Sequence, residues 1–128
     1  MRIASASMYP TLPEDSLLII QMVDPSELSV DDVITYINAN QVVVTHRIID
    51  IEENDGTGMR TFRLQGDANQ APDRNVATPD HVLGRVIWNN HHLGRVLFFF
   101  QQHALLILIV MLMVKAFSYQ RNKKIEGK

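Results

Sequence analysis

The sequence predicts a mainly β fold, a small antiparallel and partly closed β domain, followed by one C-terminal transmembrane helix. Three observations carry this. Short runs rich in β-branched and aromatic residues recur between residues 16 and 88, as strands prefer. Turn-forming Asp, Asn, Gly and Pro separate them. From Val96 to Phe117 the chain reads VLFFFQQHALLILIVMLMVKAF, which as a helix covers roughly 33 Å and so could cross a bilayer core.

The elements follow in order. SLLIIQMV, Ser16 to Val23, is too short for a typical helix and is bounded by Pro13 and by Asp24 and Pro25, so it reads as a strand. Ser26 to Asp32 is a polar connection with room for one helical turn. VITYI, Val33 to Ile37, is a second strand, and Asn38 to Asn40 a turn. VVVTHRIIDI, Val42 to Ile51, is the longest strand candidate. The NDGTG segment, Asn54 to Gly58, signals a hairpin turn, with MRTFRL, Met59 to Leu64, as the returning partner. Gly66 to Asp80 has loop composition, and HVLGRVIW, His81 to Trp88, closes the set. Several short strands joined by turns make a small β domain.

Ala104 to Val114 is apolar on every face, which suits a membrane better than a small domain with little core to surround it. Gln101, Gln102 and His103 interrupt the segment and suit an interface or a partner helix. Lys115, Arg121, Lys123, Lys124 and Lys128 follow, against Glu126 alone. Positive charge favours the cytoplasmic side. The expected organisation is therefore an extracytoplasmic β domain over residues 1–92, a transmembrane helix over 96–117 and a basic cytoplasmic tail over 118–128. Nothing before Met8 is long or apolar enough to be an anchor. The expectation allows for an anchoring helix preceding the sequence given.

Composition narrows the chemistry. The net charge of -2 gives no reason to expect a nucleic-acid partner. Without cysteine there is neither a disulfide nor a cysteine-ligated zinc site. All four lysines lie beyond the apolar segment, so with this topology none can serve as base on the outer side. That leaves histidines and carboxylates. His103 lies inside the segment, His91 and His92 beside it, and His81 follows a polar loop. His46 interrupts a β-branched run and is expected on a rigid strand. By itself a strand histidine is more often structural, and the Ser-rich start, ASASMYPTL, is by itself only a loop.

Together these segments are more. SASMYPTL resembles the nucleophile box of signal peptidase I, where serine precedes Met, any residue, Pro and a small or β-branched residue. Further matches come in that family's order. VDPSELSVDDVITY resembles the segment before the next strand, VVVTHRII the box carrying the general base, LQGDANQAPD the acidic box and HVLGRVIW the closing strand. The resemblance covers roughly Ser5 to Trp88. Histidine in place of lysine in the base box is similar to the endoplasmic-reticulum-type, SipW-like branch.

What the resemblance implies is a fold of signal-peptidase type and a membrane-bound serine endopeptidase cleaving signal peptides from exported preproteins. Ser7 would be the nucleophile and His46 its base, with no metal or organic cofactor. Either Asp67 or Asp73 would fix the imidazole tautomer. Asp73 is favoured, with Asp67 shaping the loop. Ser5 would join the Ser7 backbone N–H as an oxyanion donor. Met8, Val44 and Thr45 would meet an extended substrate paired with strand edges. The expected partners are preproteins with small residues before the cut, the lipid membrane and, compatibly, other membrane subunits. The alternative is a catalytically inactive, membrane-tethered β domain that binds partner polypeptides.

Overall fold

The computed structural model describes Met1 and residues 3–127, the side chain of Glu126 excepted. Lys128 of the expected basic tail lies outside the described residues. The fold is mainly antiparallel β, as the sequence predicts, and ends in a long apolar helix.

Five strands form the sheet: β1 (Leu17–Gln21), β2 (Val33–Ile37), β3 (Val43–Glu53), β4 (Arg60–Gln65) and β5 (Val82–Asn90). Their spatial order is β1-β5-β2-β3-β4, and every pairing is antiparallel. The sheet is not closed, since β1 and β4 are its edges. Each strand falls on a run expected from sequence, with ends shifted by a few residues. The connection after β1 contains the single short helical turn, Pro25–Glu27, capped by Asp24. A second, Pro79–His81, leads into β5, so His81 ends a turn rather than starting the strand.

Strand alternation divides β3 between the two faces of the sheet. Val44, His46 and Ile48 point one way, Thr45 and Arg47 the other. On the first face Ile48 joins Leu28, Ile34, Tyr36, Phe62, Leu64 and Ala77 in one apolar core. On the other, Ile3, Met8, Leu12 and Leu18 from the N-terminal segment and β1 form a second. Thr35 and Thr45 sit opposite each other in register. Their buried hydroxyls satisfy one another at 2.8 Å, which is how two polar groups are accommodated in an interior.

Two features position the chemistry. First, β4 pairs with β3 only from Arg47 to Glu53, so Val43 to His46 pair with β2 alone within the sheet. The N-terminal turn around Ser7 sits past the end of β4, where the Ala68 backbone N–H donates to the Ser7 carbonyl at 2.8 Å. Second, the loop after β4 folds back along that strand. Ala77 and Phe62 exchange backbone hydrogen bonds at 2.8 Å, and the Asp73 N–H donates to the Leu64 carbonyl at 2.8 Å.

Residues 1–95 form one compact unit and residues 96–128 another. Two helices follow β5, α1 (His91–Gln102) and α2 (Ala104–Glu126), separated at His103. Among the described residues, the stretch long and apolar enough to cross a membrane is Ala104–Ile125. The helical run is interrupted at His103, next to the polar pair Gln101 and Gln102.

Candidate active site

Ser7 lies in a tight turn that starts at Ala6, whose carbonyl accepts from the Tyr9 N–H at 3.0 Å. The adjacent Met8 pins the turn. Its side chain is 1% exposed within the second core, and its sulfur accepts from the Asp67 N–H at 3.4 Å. Burying one long apolar side chain here holds the neighbouring hydroxyl in place.

His46 is 7% exposed on β3. Its Nε2 stands 3.0 Å from Ser7 Oγ, and its Nδ1 stands 2.6 Å from Asp73 Oδ2. A serine hydroxyl, an imidazole and a carboxylate thus form one hydrogen-bonded chain. If Nδ1 carries the proton toward Asp73, Nε2 is left with a lone pair facing the serine hydroxyl. Such an imidazole can take that proton and later release it. Ser5 Oγ lies 3.1 Å from Ser7 Oγ.

Close approach requires a glycine at residue 66. A Cβ there would stand 2.5 Å from the Ser7 carbonyl oxygen and 3.0 Å from His46 Nε2. Any side chain would push the serine turn away from the imidazole.

Asp67 is not in the Ser7–His46 chain. Its two oxygens accept from Arg47 Nε at 2.9 Å and Nη2 at 2.7 Å, a two-pronged arrangement. Arg47 Nη1 also donates to the Asp31 carbonyl at 2.9 Å. The Arg47 hydrogen bonds hold the Asp67 carboxyl below the usual carboxylate range, against the opposing effect of burial. Asp67 is thus tied to β3 through Arg47.

Beside Ser7 is a cavity of about 560 Å³, lined by Ile3, Ser5, Ser7, Met8, Val44 and Thr45 among others. It abuts the part of β3 that lacks a β4 partner. A chain in extended form could lie there, with apolar or small side chains turned inward.

All eight residues singled out from the sequence therefore lie in one region. Ser5, Ser7, His46 and Asp73 are joined by hydrogen bonds, Met8, Val44 and Thr45 line the adjoining cavity, and Asp67 stands behind the serine turn. Sequence reading overlooked three partners. Tyr36 donates to Asp73 Oδ2 at 2.7 Å, Arg47 grips Asp67, and Gly66 makes room for the serine turn. Only Gly66 carried a local signal, a glycine at a strand end just before an aspartate. The pairing of Tyr36 with Asp73 spans the sheet and has none.

No protein-family model matches the chain. Among curated proteins it is similar to signal peptidase I W of Bacillus subtilis (strain 168), 33% identical over 81 residues. The match takes in 62% of this chain and 42% of the relative, so the chain spans less than half the length of that protein.

Proposed function

We propose that this chain is the catalytic part of a membrane-bound serine endopeptidase that removes signal peptides from exported preproteins. The observation that carries this is the hydrogen-bonded series from Ser7 through His46 to Asp73. The similarity to a signal peptidase I supports it.

In this mechanism His46 Nε2 takes the hydroxyl proton as Ser7 Oγ attacks the scissile carbonyl carbon. The carbonyl oxygen becomes an oxyanion, held by the Ser7 backbone N–H and the Ser5 hydroxyl. Before attack, with the Ser7 proton directed at His46, the Ser5 hydroxyl donates to Ser7 Oγ, and it turns to the oxyanion as that forms. The C–N bond then breaks, and His46 gives its proton to the leaving amine. Water attacks the resulting ester with His46 again as base, releasing the acid and restoring Ser7. Asp73 holds the Nδ1–H tautomer and stabilises the imidazolium. No metal or organic cofactor is needed for any step.

The substrate would be an extended segment paired with the open edge of β3, its small side chains entering the cavity beside Ser7. The β domain, residues 1–92, would face outward. The apolar helix would cross the bilayer, and the basic residues toward its end would lie on the cytoplasmic side.

The test uses the full chain in detergent and a preprotein with alanine at the first and third places before the cut. Ser7→Ala and His46→Ala should each lower the cleavage rate by about 10⁴-fold or more, with the double variant hardly worse. Retained cleavage in either single variant overturns the assignment. A wild-type chain that neither cleaves nor reacts with a fluorophosphonate at Ser7 would instead support a silent binding domain.

A further inference from the structure

Asp73 Oδ2 receives two hydrogen bonds. One involves His46 Nδ1 at 2.6 Å, the other comes from the Tyr36 hydroxyl at 2.7 Å. Tyr36 is 5% exposed and projects from β2 on the same face as His46, whose direct cross-strand partner is Ile34. Its ring belongs to the apolar core, so the hydroxyl cannot swing away without moving that core. Burial raises its pKa well above the ordinary tyrosine value, and the bond to Asp73 adds to this. The phenol therefore remains a donor over any working pH.

We infer that Tyr36 is a positioning residue of the Ser7–His46–Asp73 series: its hydroxyl locks the Asp73 carboxylate and competes with the imidazole for the same oxygen, thereby tuning how strongly that oxygen holds the ring. This deepens the proposed reaction and rests on it for its catalytic consequence. A carboxylate oxygen that already accepts one strong hydrogen bond is a weaker partner for an imidazolium. Removing the phenol hydroxyl concentrates the carboxylate charge on His46, favours the protonated ring and leaves less free base.

Other charged and titratable groups around the site remain in place in such a test. On β3, Arg47 is engaged by Asp67, whose charge also reaches His46. From the N-terminal segment Ser7 meets Nε2. On the far side of Asp73 a cavity of about 320 Å³ is lined by Tyr36, Asp73, Arg74 and His81. His81 is itself bonded to Thr78 Oγ1 at 2.8 Å. Solvent in that cavity can partly replace a lost hydroxyl, so the effect is bounded.

Tyr36→Phe is the variant to make, in the full chain in detergent. Two readouts are needed. The acidic limb of kcat/KM against pH, which reports the free enzyme, should move up by about half a unit to one unit. The His46 ¹³Cε1 resonance, identified by its loss in His46→Gln, should titrate at a pH raised by the same amount. The other histidines serve as internal controls. In the opposite direction, 3-fluorotyrosine is a more acidic donor. Incorporated into a Tyr9→Phe, Tyr119→Phe background, where Tyr36 is the remaining tyrosine, it should move both midpoints down. This second chain carries the test if Tyr36→Phe fails to fold.

An unchanged or lowered His46 midpoint in Tyr36→Phe, or an unchanged or raised one with fluorotyrosine, overturns the inference. The resonance reads Tyr36 without reference to cleavage. Loss of the proposed reaction would appear separately, as cleavage surviving Ser7→Ala or His46→Ala.

Discussion

His46 and Arg47 are neighbours on β3, point to opposite faces of the sheet, and each takes one carboxylate from the loop after β4. The two pairs are built differently. Arg47 meets both oxygens of Asp67 and spends a third donor on a backbone carbonyl. Its protons are fixed, and guanidinium does not titrate in the working range. His46 meets a single oxygen of Asp73, and its other nitrogen faces a serine hydroxyl. Charge and geometry are saturated on one face and left one step short on the other. An ion pair in which both carboxylate oxygens are engaged and the cation keeps its proton can only hold structure. An imidazole with a bond on one side and a transferable proton on the other can do chemistry.

The largest expected effect comes from the titratable face. Asp73→Asn should lower the turnover rate by about 10³–10⁴-fold with little change in thermal midpoint. The amide can still bond both neighbours. If its NH₂ faces the ring, however, Nδ1 becomes the acceptor and Nε2 carries the proton, leaving nothing to accept from Ser7. Kinetics and thermal denaturation measured side by side decide it. A full-rate Asp73→Asn enzyme would reduce the site to a Ser7–His46 pair.

An intermediate effect belongs to Ser5, which is exposed and hydrogen-bonded to Ser7 Oγ. Ser5→Ala should cost about 10²-fold in rate. The loss should appear in kcat more than in KM, since the oxyanion forms only in the transition state. A change in KM alone would move Ser5 from oxyanion support to substrate binding.

The smallest effect on rate is expected at the saturated face. Asp67→Asn should lower stability by about 1–2 kcal/mol, the pair being partly solvated. That corresponds to about 5–10 °C in a domain of this size. The accompanying loss of rate should fall well short of that in Asp73→Asn. The pH dependence has a definite sign. Because Arg47 depresses the Asp67 pKa in the folded state, the pair's stabilisation is full above the ordinary carboxylate value. It is lost as pH falls below about 4 and through the depressed folded value. The gap in thermal midpoint between wild type and Asp67→Asn should therefore close on acidification. If Asp67→Asn gives the pure rate defect and Asp73→Asn the stability defect, the roles of the two faces are exchanged.

Much of this was legible in the sequence, for physical reasons that differ by element. VITYI and VVVTHRII are β-branched runs whose local preference and alternation agree with the sheet they join. Ala104 to Val114 is apolar on all sides, and no globular packing is needed to read it as an apolar helix. The break at His103 was less legible, because three polar residues do not by themselves say where a helix ends. The pairing of Ser7 with His46 came from motif order. The choice between Asp67 and Asp73 rested on resemblance, for two acids in one loop have the same local chemistry.

The order of residues along the chain carries the list of parts: strands from hydrophobic period, turns from Asn, Asp and Gly, an apolar helix, and one serine and one histidine with chemistry to offer. These depend on neighbours along the chain. Which carboxylate meets which base was decided by tertiary structure alone. Alternation sends His46 and Arg47 to opposite faces. The early end of β4 opens space for the Ser7 turn, and the backfolded loop delivers Asp73 to one side while Asp67 stays on the other. Tyr36 reaches the same oxygen only because β2 and β3 are adjacent in register. Side chains 27 to 39 residues apart in the chain meet within 3.0 Å, and only the folded sheet specifies that distance.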